Sequence, residues 1–287
     1  MNRINSLLPE IRVHTWGGFG SQLFTAHLIL RLKYRFPGRN IKVIIHTSGV
    51  TRRSGEFDFK RLGVRQVEID DFSAHKRRTI NSPSSIFSIR RIKRNLLVSL
   101  RYLLLRFHFL ETANNEIAFR KIRFWTISLR GHYTKVILDR HSINELFEVL
   151  FDGAKTNILQ QQDIVVHYRL GDLLTLDDKS PISSDRVDGI LVATRVTPSS
   201  VLVLTDSRTN EYKNYVKETR ILDLLEPGSF NPLITLSACV QAKTFIGTNA
   251  KLSLWAAIFR SFVLSRNSYL PNELKSMNSS ELLIDWY

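Results

Sequence analysis

The group best placed to do chemistry in this 287-residue chain is Arg169, within His167-Tyr168-Arg169-Leu170-Gly171-Asp172. A run of strand character over 163–167 leads straight into it. In an open α/β sheet, ligands sit in the crevice beyond the carboxyl ends of the strands. A guanidinium delivered there grips two phosphate oxygens at once, which the point charge of a lysine does not. Gly171 relaxes the turn, Asp172 is placed to orient the arginine, and His167 to add a second donor. The bland alternative is a solvated Arg–Asp pair at a strand end. These six residues support both readings equally.

Upstream, Gly17-Gly18-Phe19-Gly20-Ser21-Gln22 follows a strand over 11–16 and opens a helix. Free backbone N–H groups and the positive end of a helix dipole suit an anion or a sugar, so Gly17, Gly18, Gly20 and Gln22 are candidate binding residues. The third glycine of a dinucleotide fingerprint would fall on Leu23, and the Lys-Ser/Thr ending of a P-loop is missing. Downstream, an apolar strand ends in Thr205-Asp206-Ser207. Asp206 is placed either to accept from a ribose or base, or to cap the next helix. Thr248, Asn249 and Ser253 cluster around the start of a helix near Lys251, a second phosphate-type position. Trp255 and the lone Cys239 read as core residues. Glu56-Phe57-Asp58 is the nearest approach to an Asp-x-Asp metal motif, so metal-independent chemistry without a cofactor is expected. Candidates for a general base are His14, Asp177, Asp178 and Asp185.

Two α/β halves must position these groups. In the first, strands are expected over 11–16, 41–46 and 62–69 around a helix over 23–36, with further strands over 117–129. A helix over 142–151 opens with Ser142 at the N-cap and Glu145 as its capping-box partner. The turn-rich segment 152–157 divides the chain into an N-terminal acceptor-side domain, 1–155, and a C-terminal nucleotide-sugar-binding domain, 156–287. Beyond it the rhythm restarts: strand 163–167, helix 185–195, strand 200–204, helices 209–217 and 231–240, strand 243–246, helix 251–264.

The net charge of +15 favours anionic partners. Over 73–110 there is no acid, yet nine Lys and Arg residues, while Ile86, Ile89, Ile92, Leu96, Leu100, Leu103 and Phe107 recur at helical spacing. Such a segment either packs its apolar face on the sheet or lies on an anionic membrane. A nucleic-acid partner is not expected, because the charge gathers in 76–106, away from the glycine and arginine motifs. No charged-then-apolar leader opens the sequence and no apolar run is long enough to span a bilayer. A cytoplasmic location is expected, with peripheral attachment to the inner face of the membrane through 76–106 as a further reading.

A glycine loop in one half and strand-end sites in the other describe a GT-B-like enzyme, two Rossmann-like domains facing a cleft. The motif order resembles the bacterial α-1,2-fucosyltransferases, within the wider group of α-1,2-, α-1,6- and protein O-fucosyltransferases. That group shows G-G-x-G-N-Q-x-F, then H-x-R-x-G-D, a strand ending in S/T-D, and an N-S-T-F-S-W-W-like segment. Here these positions are 17–24, 167–172, Thr205-Asp206 and 249–255. Ser21 stands for the usual Asn, Leu170 for a common second Arg, and the last segment reads Asn-Ala-Lys-Leu-Ser-Leu-Trp. The resemblance implies an inverting transfer of fucose from GDP-fucose to a hydroxyl of a glycan of the O-antigen or capsule type, which can be lipid-linked. It further implies that Arg169 holds the β-phosphate, that His167 and Asp172 support it, and that Asp206, Asn249 and Ser253 line the nucleotide. The rivals are a basic nucleic-acid-binding protein and a membrane-surface assembly protein without transferase activity.

Overall fold

The computed structural model describes residues 10–47, 56–69, 100, 103–104, 106–151, 163–174, 180–275 and 282–287. The chain divides into two compact units, Met1–Ser142 and Ile143–Tyr287. The turn at 152–157 lies outside the described residues, as do Asp177, Asp178 and most of 76–106.

The first unit holds a five-stranded parallel sheet. Its strands are β1 (Ile11–Thr15), β2 (Ile41–His46), β3 (Arg65–Ile69), β4 (Leu110–Thr112) and β5 (Ser128–Arg130), in the order β3-β2-β1-β5-β4. Helix α1 (Phe19–Arg35) buries an almost unbroken run from Gln22 to Leu30. A helix enclosed this thoroughly is held by apolar burial, about 1.5–3 kcal/mol for each large aliphatic side chain. It begins at Phe19 and not near Leu23, because Gly18 already serves as its N-cap.

Three sequence expectations are corrected here. The stretch 117–129 is not strand throughout: Asn115 caps a short helix, α2 (Glu116–Lys121), by accepting from the Ala118 N–H at 2.8 Å. Only Ser128–Arg130 joins the sheet. Strand β3 begins at Arg65, because Asp58 accepts from Lys60 N to open a 3-10 turn that Gly63 closes at φ 64°. Helix α3 (Arg140–Phe151) is capped not by Ser142 but by Asp139, whose carboxylate takes the Ser142 N–H at 2.9 Å and its hydroxyl at 2.6 Å.

The second unit holds a six-stranded parallel sheet, ordered β11-β10-β9-β6-β7-β8. These are β6 (Ile164–Tyr168), β7 (Val201–Thr205), β8 (Pro227–Gly228), β9 (Thr244–Gly247), β10 (Ser268–Leu270) and β11 (Ile284–Trp286). Around it run α4 (Ser184–Ala193), α5 (Thr209–Val216), α6 (Pro232–Gln241) and α7 (Lys251–Phe262). Central β6 is buried at every position, as a strand covered on both faces must be.

One polar hub fixes the helices here. Arg260, fully buried on α7, donates to the carbonyls of Cys239, Val240, Ala242, Lys243 and Asn267 and to the Ser268 hydroxyl. A guanidinium thus closes the carbonyl end of α6, where the helix dipole is negative. Burial pulls it down to about 10, still charged at neutral pH. Both units are Rossmann-like, the α/β content expected of a GT-B-like chain.

Candidate functional site

In the second unit, β6, β7 and β9 end level with one another: Tyr168 pairs with Thr205, and His167 with Gly247. The turn after β6 is tied down on both sides. Thr248, fully buried, donates its hydroxyl to the His167 carbonyl at 3.1 Å and accepts from the Arg169 N–H at 2.9 Å. Asp206 Oδ1 accepts from both the Leu170 and Gly171 N–H groups, each at 2.9 Å. Three consecutive amides are therefore committed at the base of the half-buried Arg169 side chain. Leu170 turns into the core with Tyr168 and Val203, so it leaves Arg169 as the guanidinium on this turn.

Two glycines are required by close approach. A Cβ on Gly171 would stand 2.6 Å from Asp206 Oδ2, and one on Gly247 would stand 2.6 Å from Ser253 Cβ and 2.7 Å from Leu270 Cδ2. Ser253, fully buried in the first turn of α7, meets His167 Nδ1 at 2.7 Å. Burial holds the His167 imidazole down to about 4, with Arg169 adding to the shift and Asp206 opposing it. His167 is therefore neutral at pH 7 and orients rather than adds charge. Helix α7 has Ala250 at its N-cap and no side chain bonded there, so its first amides and dipole are directed out of the helix end. An arginine on a turn held in this way, its N–H bonded to Thr248 just before α7, can hold a diphosphate and stabilise charge that builds on it.

The first unit has its own cluster at the carboxyl end of β1. His14 and Trp16 share one face of β1, and His46 falls on the same face of β2, since His14 is level with Ile44. Trp16 stacks on His46 at 4.4 Å between ring centroids and 7° between planes, and His14 Nδ1 meets His46 Nε2 at 2.8 Å. Burial, then the nearby Arg130, His46 and Arg12, hold His14 down to about 4, which keeps it neutral and able to accept a proton. Tyr133 steadies this strand end by donating to the His14 carbonyl at 2.6 Å, from a left-handed backbone at φ 57°. Such a conformation in a non-glycine residue marks a place the surroundings must enforce.

The glycine loop follows directly. Gly17 has φ 85°, and a Cβ there would meet Ser21 Oγ at 2.8 Å. Gly18 is open, with nothing within 4 Å of such an atom, and Gly20 lies in the first turn of α1. Gln22 is buried as a crosspiece: its Oε1 accepts from Phe57 N at 2.7 Å and its Nε2 donates to the Gly17 carbonyl at 3.4 Å.

The structure thus brings His167, Arg169, Asp206, Thr248 and Ser253 together, with Asn249 half-buried in the same turn. His14 gathers with Gly17, Gly18, Gly20 and Gln22 in the first unit. Asp206 does not cap α5, whose N-terminal N–H at Arg208 is taken by Glu211 at 2.9 Å. The side chain of Asp172 lies outside the described part of the structure, and Asp185 is exposed in the first turn of α4. Asp58 caps its 3-10 turn, and no group of three or more His, Cys, Asp or Glu that could hold a metal ion occurs among the described residues. Trp255 and Cys239 are buried, and burial pushes the Cys239 thiol far up. Trp16 and His46 escape a sequence reading because their pairing depends on the β1–β2 register. The signal was an aromatic residue and a histidine at the carboxyl ends of neighbouring strands.

No protein-family model matches the chain, and no curated protein sequence does. Solved structures of similar shape include an E. coli heptosyltransferase with ADP-2-deoxy-2-fluoro heptose, at 12% identity and TM-score 0.41 over 91% of this chain and 88% of that one. A fucosyltransferase from Bradyrhizobium matches at 13% identity and TM-score 0.42, over 86% of this chain and 92% of its own. A family 9 glycosyl transferase from Veillonella parvula matches at 10% and 0.42, over 98% and 86%. At such identities the chemistry rests on this chain's own residues.

Proposed function

We propose that this chain is a glycosyltransferase that takes its sugar from a nucleotide diphosphate donor, with the diphosphate held by Arg169 and the N-terminus of α7. The observation that carries this reading is the committed backbone of the 169–171 turn: Thr248 on one side and Asp206 on the other hold the turn that carries Arg169, at the carboxyl ends of three strands. With Oδ1 of Asp206 engaged by that turn, Oδ2 is left for a ribose hydroxyl or a base N–H. In the finer form, supported by the order of motifs over 17–24, 167–172, 205–206 and 249–255, the donor is GDP-fucose and the acceptor a hydroxyl of a cell-surface glycan.

The acceptor oxygen forms a bond to the anomeric carbon as the bond to the diphosphate oxygen breaks, with inversion. The electron pair leaves on the diphosphate, where Arg169 and the helix amides meet it without a metal. We assign the acceptor's proton to His14. A conjugate acid near 4 makes this a weak base, so the transfer comes late, once the new bond has made that proton strongly acidic. In this reading the first unit serves the acceptor and the second the donor.

The test is a thermal-shift panel of nucleotides and nucleotide sugars. GDP and GDP-fucose should raise the transition temperature, and UDP and CMP should not. A chain that shifts with none of them is not this enzyme.

A further inference from the structure

The formal charge is divided very unevenly. Met1–Ser142 carries 27 Lys and Arg against 9 Asp and Glu, a net +18, whereas Ile143–Tyr287 carries 14 against 17, a net −3. The unit proposed to hold an anionic donor is thus slightly acidic. The positive charge of the other unit calls for a separate explanation.

Part of it is visible at one end of the first sheet. Strands β4 and β5 lie side by side, Leu110 level with Ser128, so the residues just before them meet at the amino end of the sheet. That end is opposite to the carboxyl end where His14 and the glycine loop lie. Trp125 Nε1 donates to the Phe107 carbonyl at 2.9 Å, Thr126 Oγ1 donates to the His108 carbonyl at 2.7 Å, and Phe124 packs edge-on against Trp125 at 4.8 Å. Leu100, Leu103 and Phe107 recur at helical spacing on the approach to β4, and the Phe107 N–H closes a turn on the Leu103 carbonyl. A soluble helix turns such a stripe inward. Here it faces out: Leu100, Leu103 and Phe107 are 50%, 49% and 54% exposed, and Phe124 is 51% exposed.

Arginines crowd the same end. Arg106 and Arg123 are exposed and adjoin Phe107 and Phe124 in the chain. Arg120, its side chain 74% exposed, is joined to Arg123 by a bond from the Arg123 guanidinium to the Arg120 carbonyl at 3.4 Å. Arg35 donates to the Phe119 and Arg120 carbonyls, and Arg31 completes the group. Glu116 is shared between Arg31 and Arg120, and Glu111 pairs with His108. Burial, then Arg123 and Arg31, push the Arg35 guanidinium below its ordinary value, with Glu116 opposing the shift and Arg120 adding to it.

We propose that this amino end of the first sheet, with Leu103, Phe107 and Phe124 ringed by Arg106, Arg120 and Arg123, docks on an anionic phospholipid surface. Rings and leucines enter the interface while the guanidinium groups take lipid phosphates, the pairing that gives peripheral proteins their hold. No helix among the described residues is long and apolar enough to cross a membrane. The acid-free stretch 73–110 precedes β4 in the sequence. The inference is independent of the sugar chemistry, since none of these residues belongs to the donor site.

The test is co-sedimentation of the full chain with vesicles of phosphatidylcholine alone or with a third of phosphatidylglycerol. The chain should pellet with the anionic vesicles and weaken steeply as salt is raised. Arg120→Gln with Arg123→Gln should weaken that binding by roughly 30-fold, at about 1 kcal/mol for each basic residue. Phe107→Ser with Phe124→Ser should weaken it by about tenfold while the response to GDP stays unchanged. Equal binding to neutral and anionic vesicles, no binding to either, or a double-Phe variant that pellets like the parent would overturn the proposal. Tighter binding of single-stranded RNA through the same residues would overturn it too, and make this a nucleic-acid surface.

Discussion

The two units share a plan and differ in how they hold functional groups. Each is a parallel sheet whose central strand ends in a histidine-bearing stretch followed by a loop and a helix. In the second unit the turn at 169–171 is held through its backbone, by Thr248 and Asp206. In the first unit the strand end is fixed through side chains, by the Trp16–His46 stack and the His14–His46 contact. The charge follows the opposite order, +18 on the side-chain-fixed unit and −3 on the backbone-fixed one. If the proposed diphosphate site is right, its affinity rests on one guanidinium and a helix end in the less charged unit, and not on net charge.

Substitutions at Arg260, Asp206 and His27 test that contrast. The largest effect on stability is expected at Arg260. Arg260→Met leaves the carbonyls of α6 and its neighbours without donors, and should cost about 3–5 kcal/mol, as loss of a buried charged partner does. In differential unfolding the second unit should melt first and the first unit be unchanged. A variant as stable as the parent would show that the hub is dispensable.

Next is Asp206→Ala, which frees two amides of the arginine turn. It should lower donor turnover by about a hundredfold or more, in line with the loss of well-oriented electrostatic stabilisation, at a cost in stability of only about 1–3 kcal/mol. Asp206→Asn, which keeps one acceptor oxygen, should retain the turn and much of the activity. Equal loss in both variants would place the role of Asp206 in its charge instead.

The smallest effect distinguishes the units by acid. His14 and His27 in the first unit are held down to about 4 and about 3, and His167 in the second to about 4, each chiefly by burial. These side chains stay neutral when folded but take a proton below about pH 6.5 when unfolded. Their contribution is therefore intact above 6.5 and is lost as the pH falls towards 4. Unfolding the first unit should take up nearly twice as many protons from this source as unfolding the second, measurable as the slope of stability against pH between 6 and 5. A His27→Leu or His27→Gln variant should flatten the first unit's slope and leave the second's as it was.

Much of this was legible in the residues. Strands 41–46 and 200–204 read directly as apolar runs, and the glycine loop marked its own place because Gly17 must adopt a positive φ. The roles inside the second unit's site were less visible. Thr248, Ser253 and Asp206 carry the residue types that bind nucleotides, yet the same hydroxyls and carboxylate stitch β6, β7 and β9 together. Composition cannot separate a group that touches a ligand from one that holds the group that does; register and depth decide. Helix α2 was missed for a related reason: its β-branched and aromatic residues suggest strand, but Asn115 and the Arg31–Glu116 pair override that local preference.

The central claim is that Arg169 is the diphosphate anchor. Calorimetric titration of the parent and of Arg169→Ala with GDP and with guanosine tests it most directly. Loss of a charge-assisted phosphate contact should weaken GDP by roughly 10- to 150-fold and leave guanosine, which has no phosphate, unchanged. An Arg169→Ala chain that binds GDP as tightly as the parent, or that loses guanosine in the same measure, would contradict the account.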